Sequence, residues 1–456
     1  MAEIRAAPAP DKLRSRVAST RALAIFTSMT FINSQDNFRQ TTRADGLRIL
    51  TERRADVPSV TLGVWIEAGS VYENDHERGL AHFLEHVVFK GTQKRSMTQL
   101  AAEMDALGGQ MNAFTERELV CYHVKILVEH LPRALDLIAD LLTHPLMDES
   151  AVEVERGVIL EEINGAEDAP EEYVEDLFTE TIWNKSRWGR PILGTRKSVS
   201  NLQTSDLRRF METHYLPKNI VVAAAGNVAH DRFVKLCERA FRDLPQPRAS
   251  TRHAAPRAPK IAPHSVLVAR ETEQVHLCCG TRGTDYSDPQ RFASWLLDSI
   301  LTGGYSSRLF QEIREKRGLC YSIGPFSASY RKAGFWGVST SVAPEEAPRV
   351  VKLIGKELRR IKEKPVGRAE LQRAQQMMKI NVLLAEESSG AQMSRIARNE
   401  LYYGRQKSTA ETLREISAVT AADIQTLANE AFDARYMNLT AIGPFEKGAP
   451  SLHIEV

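Results

Sequence analysis

The sequence lacks several features that would assign it to a specialised class of protein. It has no run of about 18 apolar residues, so no membrane-spanning helix is expected. Its net charge is only +2, which argues against a nucleic-acid partner. Cysteine is scarce, and the five thiols include no C-x-x-C pair. This pattern predicts reduced cysteines in the cytoplasm, with the mitochondrial matrix as the alternative, rather than a disulfide framework.

The most informative segment is the pentapeptide His82-Phe-Leu-Glu85-His86, which lies inside an apolar stretch. On an α-helix His82 and His86 are one turn apart on one face, so both imidazoles can reach one metal ion. Glu85 points to nearly the same side and can act as a base on a water molecule. Two such histidines are more often exposed surface residues, but the apolar flanks predict a buried helix, where polar groups need a partner. We therefore predict a zinc site with one ion per chain.

A catalytic zinc takes three protein ligands and keeps one position open. The acidic segment 152–163 is the best source of the third ligand. On a helix Glu155 and Glu162 are only about 20° apart, whereas Glu161 points elsewhere. We predict Glu162 as the ligand and Glu155 as a supporting carboxylate; the alternative is a solvated acidic helix face. The predicted core-facing residues of this helix are Val158, Ile159 and Ile163.

Together these motifs resemble the inverzincin zinc peptidases of the insulinase/pitrilysin family, in particular the mitochondrial-processing-peptidase-like branch. The resemblance rests on the pentapeptide and on the Glu155-Arg-x-Val-Ile-Leu-x-Glu162 context, and it runs from about residue 40 to the C-terminus. It implies zinc ligands at His82, His86 and Glu162, with Glu85 as the general base. The implied activity is a zinc metalloendopeptidase that hydrolyses extended peptides, unfolded proteins or presequences with a metal-activated water. The family also contains non-catalytic scaffolds and partner subunits of processing-peptidase-like or respiratory complexes, which form the alternative.

Two further segments take a role only from this resemblance. Asn112, Ala113 and Phe114 match an edge strand to which substrates add by main-chain hydrogen bonds; without the resemblance, an ordinary hairpin is the better interpretation. Arg314 and Tyr321 match a pair that holds the substrate carbonyl and stabilises the oxyanion, although a basic helix end is otherwise commonplace. The resemblance also implies that subunits assemble in pairs. We therefore expect a homodimer in which this pair faces the zinc of the other copy, with a heterodimer with an inactive homologue as the alternative.

An internal repeat predicts the architecture. A capped helix followed by an apolar strand that ends at Gly226 has a second copy later in the chain, whose strand ends at Gly443. The two copies align without a gap. In a second pair of aligned segments, the counterparts of His82, Glu85 and His86 are Ser294, Leu297 and Asp298. Only the N-terminal half can therefore hold zinc. We predict an α+β fold made of two homologous α/β-sandwich halves, each with one mixed sheet and helices covering one sheet face.

The chain is too long for one core, and its composition suggests four segments. Residues 1–40 are predicted to be a disordered or targeting-like extension, with an over-long start to the reading frame as another explanation. Residues 41–247 would form the catalytic zinc-binding domain, with a first strand at 46–51. A Pro/Ala-rich linker is placed at 248–262. Residues 263–456 would form a domain without metal that contributes to substrate binding.

Overall fold

The structure, a computed structural model, describes residues 37–109, 111–184, 186–245, 256–446 and 452–456 of the 456-residue chain. Within these residues the strands form two six-stranded mixed sheets, one in each half. The strands are β1 (Phe38–Thr42), β2 (Arg48–Arg53), β3 (Ser59–Ile66), β4 (Met111–Thr115), β5 (Val120–Leu127), β6 (Ile220–Gly226), β7 (His264–Ala269), β8 (Val275–Arg282), β9 (Cys320–Pro325), β10 (Ala328–Ser329), β11 (Gly334–Val342) and β12 (Asn438–Gly443).

The two sheets repeat one topology. The N-terminal sheet has the order β1-β2-β6-β3-β5-β4, in which only β2 and β6 are parallel. The C-terminal sheet contains β7-β12-β8-β11, the counterpart of β2-β6-β3-β5, again with one parallel pair. The helices before β6 and β12 even share a cap, because Asp206 and Asp423 each accept the N–H of the N-cap residue. The prediction of two homologous halves is therefore confirmed.

Helices cover both faces of each sheet rather than one. Strands β3 and β6 are buried along almost their whole length, so a cover on both faces is required. The described helices are α1 (Leu80–Val87), α2 (Met97–Ala106), α3 (Leu131–Thr143), α4 (Glu149–Asp168), α5 (Pro170–Ile182), α6 (Arg196–Asn201), α7 (Thr204–His214), α8 (His230–Ala240), α9 (Arg291–Leu301), α10 (Ala347–Glu363), α11 (Arg368–Ala385), α12 (Ser389–Tyr403), α13 (Thr409–Ala418) and α14 (Ala421–Ala431). None of them is long and apolar enough to cross a lipid bilayer.

The second cover of each sheet comes from the other half of the chain. Helix α5 packs Phe178 against Phe335 of the C-terminal sheet, with ring centroids 5.7 Å apart. Helix α12 packs against the N-terminal sheet, where the Trp65 indole N–H donates to the Met393 sulfur at 3.1 Å. The expectation of helices on one face only was thus incomplete, because alternation along a strand shows that a face is buried but not which segment buries it.

The chain also enters the first sheet earlier than predicted. Strand β1 pairs with β2 from Phe38 onwards, so the expected boundary at residue 40 falls inside β1 and the predicted strand at 46–51 is the second one. Most of the predicted extension (1–36) and most of the predicted linker (246–255) lie outside the described residues. The next segment, 256–263, contains no helix or strand.

Candidate active site

Helix α1 carries the pentapeptide, and it is buried as its apolar flanks predict. It begins after Gly79, whose φ of +86° is in the left-handed region that favours glycine. It packs on α4, α7 and strand β4. Its buried residues are Leu80, Ala81, His82, Phe83, Leu84 and Val87. The two ligand candidates therefore lie on a helix whose orientation is set by packing against three other elements.

Helix α4 brings the acidic residues to α1. It begins at the N-cap Asp148, whose side chain accepts the N–H of Ser150. Ile159 and Ile163 are buried as predicted, but Val158 is 48% exposed, so its assignment to the core was wrong. The buried face of the helix is therefore narrower than the sequence suggested. Val158 lies one turn before Glu162, and both residues are exposed.

The donor atoms of His82, His86 and Glu162 all lie within 4.8 Å of one another, and no second group of this kind occurs in the described part of the chain. The Nε2 atoms of both histidines are 3.7 Å from Oε2 of Glu162. That is too long for a hydrogen bond. It is close to the roughly 3.4 Å that separates two ligands of a tetrahedral zinc with bonds of about 2.0–2.1 Å. Two imidazoles and one carboxylate also form a recognised catalytic zinc donor set. The residues therefore fit the ion in both size and chemistry.

Glu155 orients the second histidine. Its buried carboxylate accepts the Nδ1–H of His86 at 3.1 Å, which leaves the Nε2 lone pair facing Glu162. The other oxygen of Glu155 forms an ion pair with Nζ of Lys90 at 2.7 Å. Lys90 was not predicted as part of the site, although its position one turn after His86 is a signal for it.

The first histidine is kept neutral by its surroundings. Burial, together with the neighbouring His86, lowers the pKa of His82 to about 4. A metal-binding imidazole has to be unprotonated, so this shift favours binding near neutral pH. Nδ1 of His82 is buried without a hydrogen-bond partner among the described residues, so His82 has no counterpart of the support that Glu155 gives His86.

Glu85 lies beside the donor cluster without belonging to it. Oε2 of Glu85 accepts the hydroxyl of Thr115 at 2.5 Å. Burial raises the pKa of Glu85, and the Thr115 hydrogen bond and the nearby His86 oppose that shift. A carboxylate with a raised pKa is a better proton acceptor near pH 7. Thr115 was not predicted as part of the site, because no local pattern indicates that the end of β4 reaches α1.

Strand β4 places Asn112, Ala113 and Phe114 at the sheet edge. It pairs with β5 on one side, opposite Tyr122 at Ala113, and it is the last strand in the sheet order. Its outer edge therefore offers main-chain groups to another strand. The N–H of Ala113 donates to the side-chain oxygen of Asn112 at 2.8 Å. Thr115 at the end of the same strand links this edge to Glu85.

Arg314 and Tyr321 lie together in the C-terminal half and apart from the donor cluster. The guanidinium of Arg314 is 5.8 Å from the centre of the Tyr321 ring and forms an ion pair with Glu315 at 2.7 Å. The Tyr321 residue is 86% exposed. Within the described part of one chain, neither residue contacts His82, His86 or Glu162.

Comparison with known proteins identifies the family of the chain. Residues 48–196 match the insulinase (peptidase family M16) domain, and residues 201–378 match the domain described as the peptidase M16 inactive domain. The chain therefore belongs to the insulinase-type peptidase family M16, as the motifs predicted. The description of the second domain also agrees with the loss of the ligand residues in the second half of the repeat.

Two bacterial proteins similar to this chain are named uncharacterized zinc proteases. The chain is 39% identical over 444 residues to an uncharacterized zinc protease of Streptomyces coelicolor, covering 95% of this chain and 96% of the relative. It is 35% identical over 400 residues to one of Bacillus subtilis, covering 88% and 97%. Among solved structures, a protease from Helicobacter pylori has a TM-score of 0.84 at 20% identity over 89% of this chain and 99% of that one, which supports the fold. A peptidase M16 inactive domain from Pseudomonas fluorescens gives 0.83 at 18%, covering 90% and 98%.

Proposed function

We propose that this chain is a zinc-dependent metalloendopeptidase that holds one zinc ion through His82, His86 and Glu162. The observation that carries the proposal is the set of donor distances, which suit a tetrahedral ion and are too long for direct hydrogen bonds. The names of the bacterial relatives support the same metal.

When bound, zinc supplies Lewis-acid activation of a water molecule and of the scissile carbonyl. Glu85 takes the proton from the attacking water and returns it to the departing amine, a general acid-base role worth about 10²–10⁴-fold. The Thr115 hydroxyl holds one carboxylate oxygen of Glu85 in place. Glu155 holds the His86 ring, so that the base and this ligand keep a fixed relation to each other.

The substrate is an extended peptide that adds to the outer edge of β4. The side chain of Asn112 has to release the N–H of Ala113 before that group can bond to the peptide. A cavity of about 380 Å³ adjoins the same strand and takes an apolar side chain of the peptide. Its walls are mainly apolar: Phe89, Met97, Leu100, Ala101, Met104, Asp105, Met111 and Asn112.

The active unit is a homodimer in which Arg314 and Tyr321 act on substrate at the zinc of the other copy. The exposure of Tyr321 and its separation from the donor cluster support this arrangement. Mixing tests it: Glu85→Gln and Tyr321→Phe subunits should each be impaired alone and regain activity when mixed, because one site of the mixed dimer is intact. A monomeric, fully active chain would contradict the shared site.

The five cysteines, all free and buried, support the proposed cytoplasmic compartment.

The function is tested by zinc analysis combined with cleavage of an unfolded peptide. Glu162→Gln should lose both zinc and activity, whereas Glu161→Gln, an exposed neighbour outside the donor cluster, should keep both. Glu85→Gln should keep zinc and lose cleavage. A Glu85→Gln protein that cleaves as fast as the parent would contradict the mechanism. A zinc-bearing parent that cleaves no peptide would favour the scaffold alternative.

A further inference from the structure

Helix α1 begins without a side-chain cap of its own. Its N-cap is Gly79, and the first N–H groups of any helix need acceptors outside the helix. A side chain cannot be added there, because a Cβ on Gly79 would meet the carbonyl oxygen of Leu193 at 2.5 Å. An acceptor for these groups therefore has to come from elsewhere in the chain.

Glu73 supplies one such acceptor with its side chain, and the backbone carbonyl of Glu77 accepts the N–H of Leu80 at 2.9 Å. Oε2 of Glu73 accepts the N–H of Gly79 at 3.0 Å, and its Oε1 accepts the N–H of Ala81 at 2.8 Å. Glu73 is 0% exposed. Burial raises the pKa of this carboxyl, while both N–H groups and the Arg190 guanidinium oppose that shift because they stabilise the carboxylate. Each oxygen has its own donor, an arrangement that suits a carboxylate at the positive end of a helix.

Glu73 is itself fixed from two sides. It follows a 3-10 turn, Ser70–Tyr72, that is buried throughout. Its backbone carbonyl accepts NH1 of the buried Arg190 at 3.2 Å. The carboxylate of Glu73 is therefore held in place, and its two hydrogen bonds fix the position of the first turn of α1.

We propose that Glu73 is a positioning residue for the metal, because it fixes the turn of α1 that carries His82 before the ion binds. The inference rests on the proposed zinc site. Ala81, which Glu73 binds, immediately precedes His82, and Nδ1 of the His82 ring has no hydrogen-bond partner within the described residues. An uncapped helix end frays. Such fraying would move His82 relative to His86, whose ring Glu155 holds, and relative to Glu162, which lies on α4.

The test compares Glu73→Gln with a matched control, Glu77→Gln. Glu77 is a second buried carboxylate in the same loop, but its side chain accepts the N–H of Asn74 and pairs with Arg209. Only its backbone carbonyl bonds to α1, at Leu80, and Glu77→Gln keeps that bond. Zinc affinity is measured with zinc alone, by competition with a chelating dye. We expect Glu73→Gln to bind about 10–100-fold more weakly, the effect typical of losing a group that supports a metal ligand. Glu77→Gln should stay within threefold of the parent.

Hydrogen exchange of the metal-free proteins provides a readout that does not depend on activity. The peptide covering residues 79–86 should exchange faster in Glu73→Gln than in the parent, with other helices unchanged. Equal zinc affinity in Glu73→Gln and the parent, or an equal loss in Glu77→Gln, would overturn the inference. If Glu73→Gln does not fold, Glu73→Asp, which keeps the charge on a shorter arm, gives the same comparison. A parent that binds zinc but cleaves no peptide overturns the proposed function and leaves this inference standing.

Discussion

Replacement of Glu155 offers the sharpest prediction about the metal site, because this residue acts on a ligand without being one. Its carboxylate is buried and bonds to both the His86 Nδ1–H and the Lys90 ammonium. In Glu155→Gln the amide oxygen can still accept from His86, but the amide NH₂ then faces Lys90, and the ion pair is lost. In Glu155→Ala both contacts disappear, and the His86 ring loses the group that fixes its tautomer.

The size of the effect follows from these contacts. Loss of a carboxylate that supports a metal-binding histidine typically weakens metal affinity about 10–100-fold. That range corresponds to about 1.4–2.7 kcal/mol of binding free energy. We expect Glu155→Gln near the lower limit, because one contact survives, and Glu155→Ala near the upper limit. Lys90 is partly exposed, so solvent reduces the cost of leaving it unpaired.

Zinc affinity would be measured by competition with a chelating dye at constant pH, with circular dichroism to establish that each variant is folded. Glu153→Gln is the matched control, because Glu153 is on the same helix but is exposed and pairs with Arg156 at 2.8 Å. Its zinc affinity should remain within about twofold of the parent. If folded Glu155→Ala binds zinc as tightly as the parent, the role assigned to Glu155 is refuted.

Three further predictions concern other parts of the molecule. Thr115→Val should lower kcat roughly tenfold or more, because a hydrogen bond to the Glu85 carboxylate is lost, whereas Thr115→Ser should retain most activity; equal kcat values in steady-state assays would contradict this. Burial raises the pKa of Glu118 to about 7, so its folded form holds a proton that the unfolded chain releases above about pH 4.5, and this stabilisation is lost as the pH rises through 7. The stability of Glu118→Gln relative to the parent, measured by urea unfolding, should therefore rise by on the order of 2 kcal/mol between pH 5 and pH 8, and a constant difference would argue against a raised pKa. Phe178→Ala should destabilise the protein by about 3–5 kcal/mol in urea unfolding, since it empties the contact between α5 and the C-terminal sheet, and a loss below about 1 kcal/mol would show that this contact is not tightly packed.

The parts of the site that follow helical periodicity could be predicted from the sequence. The spacing of His82 and His86 predicts one shared face, and helical phase distinguishes Glu162 from Glu161; the described geometry brings the donor atoms of His82, His86 and Glu162 together. The repeat likewise predicted two sheets of one topology, because it preserves the order of helix, cap and strand around β6 and β12.

The parts that depend on contacts between distant segments could not be predicted. Thr115 reaches Glu85 because β4 happens to end beside α1, and no local spacing records that meeting. Val158 was predicted to be in the core because it is apolar, and nothing in the local sequence indicates that its side chain is exposed. The packing of α5 on the C-terminal sheet and of α12 on the N-terminal sheet was also not predicted. An apolar stripe shows that a helix is packed but does not identify its partner.

The packing of the late helix α12 on the N-terminal sheet has a consequence for synthesis of the chain on the ribosome. The last strand of the N-terminal sheet, β6, is made long before α12, which covers Trp65 and its neighbours on that sheet. Until almost the entire polypeptide has emerged, the nascent first half presents a bare apolar face, the kind of surface that recruits chaperones or drives aggregation. A ribosome stalled before residue 389 should therefore hold a protease-sensitive first half, and completion of α12 should make it resistant.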